Sequence, residues 1–223
     1  MPDGQYSFYL HSDDRTDIAA MATINTISQP LRGEFIRTAA TAGAVVYQVD
    51  ARLPALIPVF FAGQLSAVRL CAVMALVSGT WSSLTGLPDE PENGGAALPV
   101  SPETEYQRRR YTLTLQNGRS GERVESVLTE ASSRLRGDLL RNLIITGLAL
   151  HTTAPELPRL LASMPVPPTS VSELQALVQQ MAGTADVNRA AAAVPDTPAA
   201  SAAPVSGADT REIKKNMRRA FGD

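Results

Sequence analysis

Residues 123–150 read RVESVLTEASSRLRGDLLRNLIITGLAL, the longest regular stretch of the chain. Val124, Val127, Leu128, Ala131, Leu135, Leu139, Leu143 and Thr146 fall three or four positions apart, which predicts one long helix with a continuous apolar face and Ser120 as its N-cap. A helix of that length sets the class as mainly α: a helix bundle with a few short strands.

The flanking segments are read against it. Asp13, Asp14 and Asp17 precede Ile18, Met21, Ile24 and Ile27. Acidic residues suit the positive N-terminal end of a helix, and Pro30 closes this one. A short helix follows over 31–41, and the β-branched run at 44–49 predicts a strand. Pro54 and Pro58 indicate an extended connection. From Phe60 to Ser78 apolar residues cover almost every face, which predicts a helix buried on nearly all sides. Pro58, Gln64 and Arg69 interrupt that region too often for a membrane span. Residues 87–102 are Pro- and Gly-rich and read as a loop, and 106–115 (YQRRRYTLTL) ends in a strand-like alternation before an Asn117-Gly118 turn. Ser170 and Glu173 have capping-box spacing at the start of a last core helix, stopped by Gly183. No internal repeat stands out.

The expected organisation is a helical core over 1–184, a Pro/Ala/Ser-rich linker over 185–208 that buries too little to be ordered, and a basic amphipathic segment over 209–223. As a flexible coil that linker spans roughly 25–30 Å. Asp209 and Glu212 have capping-box spacing, and Ile213, Met217 and Phe221 form one apolar stripe beside Lys214, Lys215, Arg218 and Arg219.

Composition restricts the chemistry. With 223 residues, 44% of them hydrophobic, and a net charge of −2, the chain can bury a core and carries no global field toward nucleic acid or membrane. One cysteine, Cys71, excludes an internal disulfide and fits a reducing setting. The two histidines, His11 and His151, sit where helix-end chemistry accounts for them, and no phosphate-cradling glycine motif is present. The expectation is therefore a non-enzyme with no catalytic residues, metal or cofactor. The acidic cluster is assigned to capping.

The strongest binding signal is Tyr106, Arg108, Arg109, Arg110 and Tyr111, where consecutive guanidinium groups lie between rings on which bases can stack. Arg134, Asp138 and Arg141 share one helical face, as an ion-pair stripe or as a phosphate-facing row; on the second reading Arg134 and Arg141 join the candidate RNA contacts. Lys214, Lys215, Arg218 and Arg219 complete that set. Phe60, Phe61, Leu65 and Val68, with Ile213, Met217 and Phe221, form the candidate oligomer interface.

The stretch AAAAVPDTPAASAAPVSGA at 190–208, with the basic residues, resembles the Pro-Ala-Ser-rich proteins of polymycoviruses, and 123–147 is similar to an RNA-proximal helix of rod-shaped plant-virus coat proteins. The resemblance implies a viral structural protein, a capsid or nucleoprotein-like coat, that self-associates into a homo-oligomer or filament. It would bind RNA, not membrane, and reside in the virion and the host cytoplasm. The alternative is an adaptor or secretion-type accessory protein whose basic C-terminal helix docks on a protein partner.

Overall fold

The chain folds as one strand followed by four helices, twice over. A computed structural model describes residues 4–80 and 107–192, with side chains to residue 183. The first half runs β1 (Gln5–His11), α1 (Arg15–Asn25), a 3-10 turn (Gln29–Leu31), α2 (Arg32–Val49), α3 (Leu53–Phe60) and α4 (Ala67–Ser78). The second runs β2 (Arg108–Thr114), α5 (Arg119–Glu130), α6 (Arg136–Thr153), α7 (Leu157–Ser163) and α8 (Val171–Ala192). The chain divides into units at Asn188/Arg189, and of the second unit only the end of α8 is among the described residues.

The repeat is also present in the letters, contrary to the expectation of none. At a constant separation of 104 positions, Leu31-Arg32-Gly33-Glu34 matches Leu135-Arg136-Gly137-Asp138. The same shift aligns Arg37 with Arg141, Gly43 with Gly147, Leu53-Pro54 with Leu157-Pro158, Ser66 with Ser170 and Leu70 with Leu174. It escapes a reading by apolar pattern because the apolar residues differ in size: Ala39, Ala40 and Thr41 answer to Leu143, Ile144 and Ile145.

Those sizes are complementary in space. A Cβ at Gly43 would strike the Leu143 backbone, and one at Gly147 would strike the Ala39 backbone. The two long helices therefore cross in near-contact, each glycine opening room for the other helix. Small α2 side chains and large α6 side chains fill one common core, in which Ala39, Ala40, Val45, Leu143, Ile144 and Leu148 are all buried. The halves also exchange partners: α2 packs on α7 and α5, and α6 packs on α3 and β1. Each half completes the other's core.

β1 and β2 pair antiparallel, from Gln5 opposite Thr114 to His11 opposite Arg108. Phe8, Leu10, Leu113 and Leu115 face inward and are buried, and the Phe8 and Tyr111 rings stack at 5.3 Å. Matching inward faces aligns Tyr6, Phe8 and Leu10 with Tyr111, Leu113 and Leu115, so the centre of the pseudo-two-fold lies at the Ser7–Thr112 pair.

Several local expectations need correction. The long helix over 123–150 is two helices, α5 and α6, because Ala131 turns extended (φ −80°, ψ 146°) and the two serines after it are weak helix formers. The N-cap of α5 is Gly118 at φ 136°, a backbone that favours glycine, and not Ser120. The segment at 44–49 is the buried end of α2; packing overrides its strand propensity. Pro54 opens α3 in its first turn, where a proline removes no helical hydrogen bond, so the segment is not extended. In 60–78 Phe60 ends α3 and helix resumes only at α4, which is capped by Ser66, ended by Gly79 at φ 71°, and leaves Val68 and Leu76 exposed. The last helix runs through Gly183 to Ala192. Asp14 caps α1 as expected, its Oδ1 accepting the Asp17 N–H at 3.0 Å. No described helix is long and apolar enough to cross a membrane. Of the linker expected over 185–208, residues 185–192 are helical and belong to α8, which corrects that boundary; its remainder, the loop at 87–102 and the basic segment at 209–223 lie outside the described residues.

Candidate nucleic-acid interface

Alternation along the β1–β2 ribbon gives it two unlike faces. The inner face seals the core. The outer face carries Gln5, Ser7, Tyr9 and His11 from β1 and Arg108, Arg110, Thr112 and Thr114 from β2, the β2 members all exposed. Every side chain on it is polar or amphipathic, and two are permanently charged.

Contacts across the ribbon order those charges. The Arg110 Nε and Nη2 donate to Ser7 Oγ at 3.2 and 2.9 Å. The Arg108 guanidinium lies 3.5 Å from the centre of the Tyr9 ring, within cation–π range. Arg109 points to the inner side, but at the ribbon's end, where it stays exposed with its guanidinium 5.2 Å from the Tyr111 ring centre. The side chains Arg108 to Tyr111 therefore alternate around the strand and do not form one basic surface. Tyr106 lies outside the described residues.

The N-terminal ends of α2 and α6 flank the ribbon in equivalent ways. Arg32 donates to the Ile27 carbonyl at 2.8 Å and Arg136 to the Ala131 carbonyl at 3.2 Å, positions related by the repeat. Burial raises the Tyr6 phenol, reinforced by Glu125 and opposed by the Arg136 charge. Burial likewise raises Tyr111, opposed by Arg109 and Arg32. A Cβ on Gly137, in the first turn of α6, would lie 3.5 Å from the Ser7 carbonyl oxygen. The first turn of α6 thus lies against the middle of β1, and Arg32 and Arg136 are held at equivalent places at the starts of the two long helices.

Arg141 forms an ion pair, one of its two expected readings, but with the start of α1 and not with Asp138 of its own helix. Its Nε donates to Asp17 Oδ1 at 2.7 Å, and its Nη2 lies 3.3 Å from Asp14 Oδ2. Asp17 is fully buried and also accepts the His11 N–H at 2.9 Å. Burial pushes its carboxyl above the usual range, and the bonds from His11 and Arg141 lower it only in part. Arg141 thus ties α6 to the start of α1 and is committed to that internal bond. Sequence reasoning assigned Asp17 to capping and missed this pair; its aspartate lies 124 residues from its arginine.

Of the other expected residues, Arg134 is exposed in the turn between α5 and α6. Phe61 and Leu65 are buried in this chain's own core, which corrects their assignment to an oligomer interface; Phe60 and Val68 are exposed. Lys214, Lys215, Arg218, Arg219, Ile213, Met217 and Phe221 lie outside the described residues. The candidate residues missed altogether are the outward-facing ones of β1, where the alternation of Tyr6, Phe8 and Leu10 with polar residues carried the signal.

The family described as plasmid stability protein matches residues 4–74 and 109–178, one segment in each half of the duplicated fold. The chain belongs to the plasmid stability protein family. No curated protein and no solved structure matches it. Membership overturns the viral coat reading, its RNA-coating function and its virion location. The Pro-Ala-Ser-rich stretch behind that reading is a matter of composition, whereas the family match covers the two folded halves.

Proposed function

We propose that this plasmid stability protein acts by binding duplex DNA, with the β1–β2 ribbon as the reading element. The observation that carries the proposal is the polar outer face of an antiparallel ribbon that has two strands among the described residues and is backed by α6 on β1 and α2 on β2. The major groove of B-DNA, about 12 Å wide, admits a two-stranded ribbon. Gln, Arg, Ser, Thr and Tyr on its outer face supply donors and acceptors for base edges and sugar-phosphate oxygens. A plasmid is itself duplex DNA, so the protein works inside the plasmid-bearing cell.

The test is binding of the full chain to duplex fragments of its own plasmid across a salt series. Arg108→Ala with Arg110→Ala should weaken binding and lower the slope of log K against log salt by about 0.9 for each phosphate no longer neutralised. Unchanged affinity and slope in the folded double variant would remove the ribbon from the interface.

A further inference from the structure

A ribbon formed by two identical strands presents the same chemistry on both sides of its centre. This ribbon does not. About the Ser7–Thr112 centre, Gln5 on β1 and Arg110 on β2 occupy equivalent outward positions, each two residues away. Tyr9 answers in the same way to Thr114, and the pairs differ in hydrogen-bonding capacity. Glutamine is both donor and acceptor, and it matches the N6 and N7 edge of adenine. Arginine is donor only, and it matches the O6 and N7 edge of guanine.

The core keeps these unlike strands together. Small α2 side chains fit large α6 side chains at the Gly43–Gly147 crossing. Two α2 helices brought together would leave gaps, and two α6 helices would collide. Each half is therefore built to accept the other half and to disfavour its own kind. Because α7 and α5 pack on α2 while α3 packs on α6, separating the halves would open both cores.

We infer that one chain is a complete reader with two unlike halves, and that it recognises a non-palindromic duplex element in a single orientation. The Arg110 side selects guanine and the Gln5 side selects adenine. This rests on the proposed DNA reading and adds the class of site that the ribbon takes.

The test is selection of bound duplexes from a randomised library with the full chain, followed by native mass measurement of the complex. One chain per selected element is expected, with guanine on one side and adenine at the equivalent position on the other, each preferred roughly 5- to 150-fold over the wrong base. Arg110→Gln gives both sides the same reader and should shift the selected guanine to adenine, making those two positions symmetric. Gln5→Arg should shift the adenine to guanine. Both side chains are exposed, so the variants keep the fold under test. A wild-type element already palindromic at these positions, two chains on one element, or selections unmoved by both variants would overturn the inference and leave DNA binding standing. Selection of no duplex at all would overturn the DNA reading and this inference with it.

Discussion

The two halves have the same path and cross through equivalent glycines, but the matching arginines of their long helices have unlike partners. At the crossing each half contributes one glycine to the same close approach, and Arg32 and Arg136 bond equivalent carbonyls. Beside the start of α1, Arg141 is held by Asp14 and the buried Asp17. Among the described residues its counterpart Arg37 pairs with Glu34 on its own helix, because the position equivalent to Asp17 is Gly121, packed against the Gln116 carbonyl. The glycines of the helix crossing are kept in both halves, whereas the ion pair that ties α6 to α1 has no counterpart between α2 and α5 among the described residues.

The largest expected effect separates Arg141 from Arg37. Arg141→Ala leaves the Asp17 carboxylate buried without its cation and should cost about 3–5 kcal/mol in denaturant unfolding. Arg37→Ala removes a partly solvated pair within one helix and should cost below about 1 kcal/mol. Similar losses in the two variants would mean that the two arginine pairings are energetically alike.

Next come the glycines, where the halves should behave alike. Gly43→Ala and Gly147→Ala each force a methyl group into the facing backbone, and each should destabilise by about 1–3 kcal/mol or more, since backbone has little freedom to move aside. Thermal melts of both variants check this. Tolerance of either would show that the helices do not cross at that glycine.

The smallest effect is a dependence on pH confined to one half. Because the folded-state pKa of Asp17 is raised, the folded chain binds a proton there that the unfolded chain has released. Its favourable contribution is present at acid pH, below the ordinary carboxylate range, and is lost as pH rises through the raised value. Asp17→Asn should flatten that part of the stability profile measured by unfolding across acid to neutral pH. Gly121 offers no equivalent group, so an unchanged profile would place the pH-sensitive group elsewhere.

Local signals in the sequence located α1 through its Asp14 cap, β2 through its alternation and the start of α8 through Ser170. The mainly helical class followed from them. What stayed hidden depended on distance along the chain. Val45 and Val46 favour a strand until α6 buries them, and the helix predicted over 123–150 keeps its apolar spacing straight across the break at Ala131. Arg108 to Arg110 looked like one basic cluster because letters in a row do not show which side of a strand each occupies. The candidate site was legible as charge and illegible as a face, since the face exists only when β1 lies alongside.

That pairing also sets an order of events during synthesis. Arg110 meets Ser7 across 103 positions of chain, and Gln107 meets Ser12 across 95. At about 5–20 residues per second, β1 and the small-residue face of α2 leave the ribosome roughly 5–20 seconds before their partners exist. During that interval the nascent first half carries an unpaired strand edge and an open apolar helix face. Linking the halves into one chain guarantees each nascent half a partner of the right kind, at the cost of a wait for it.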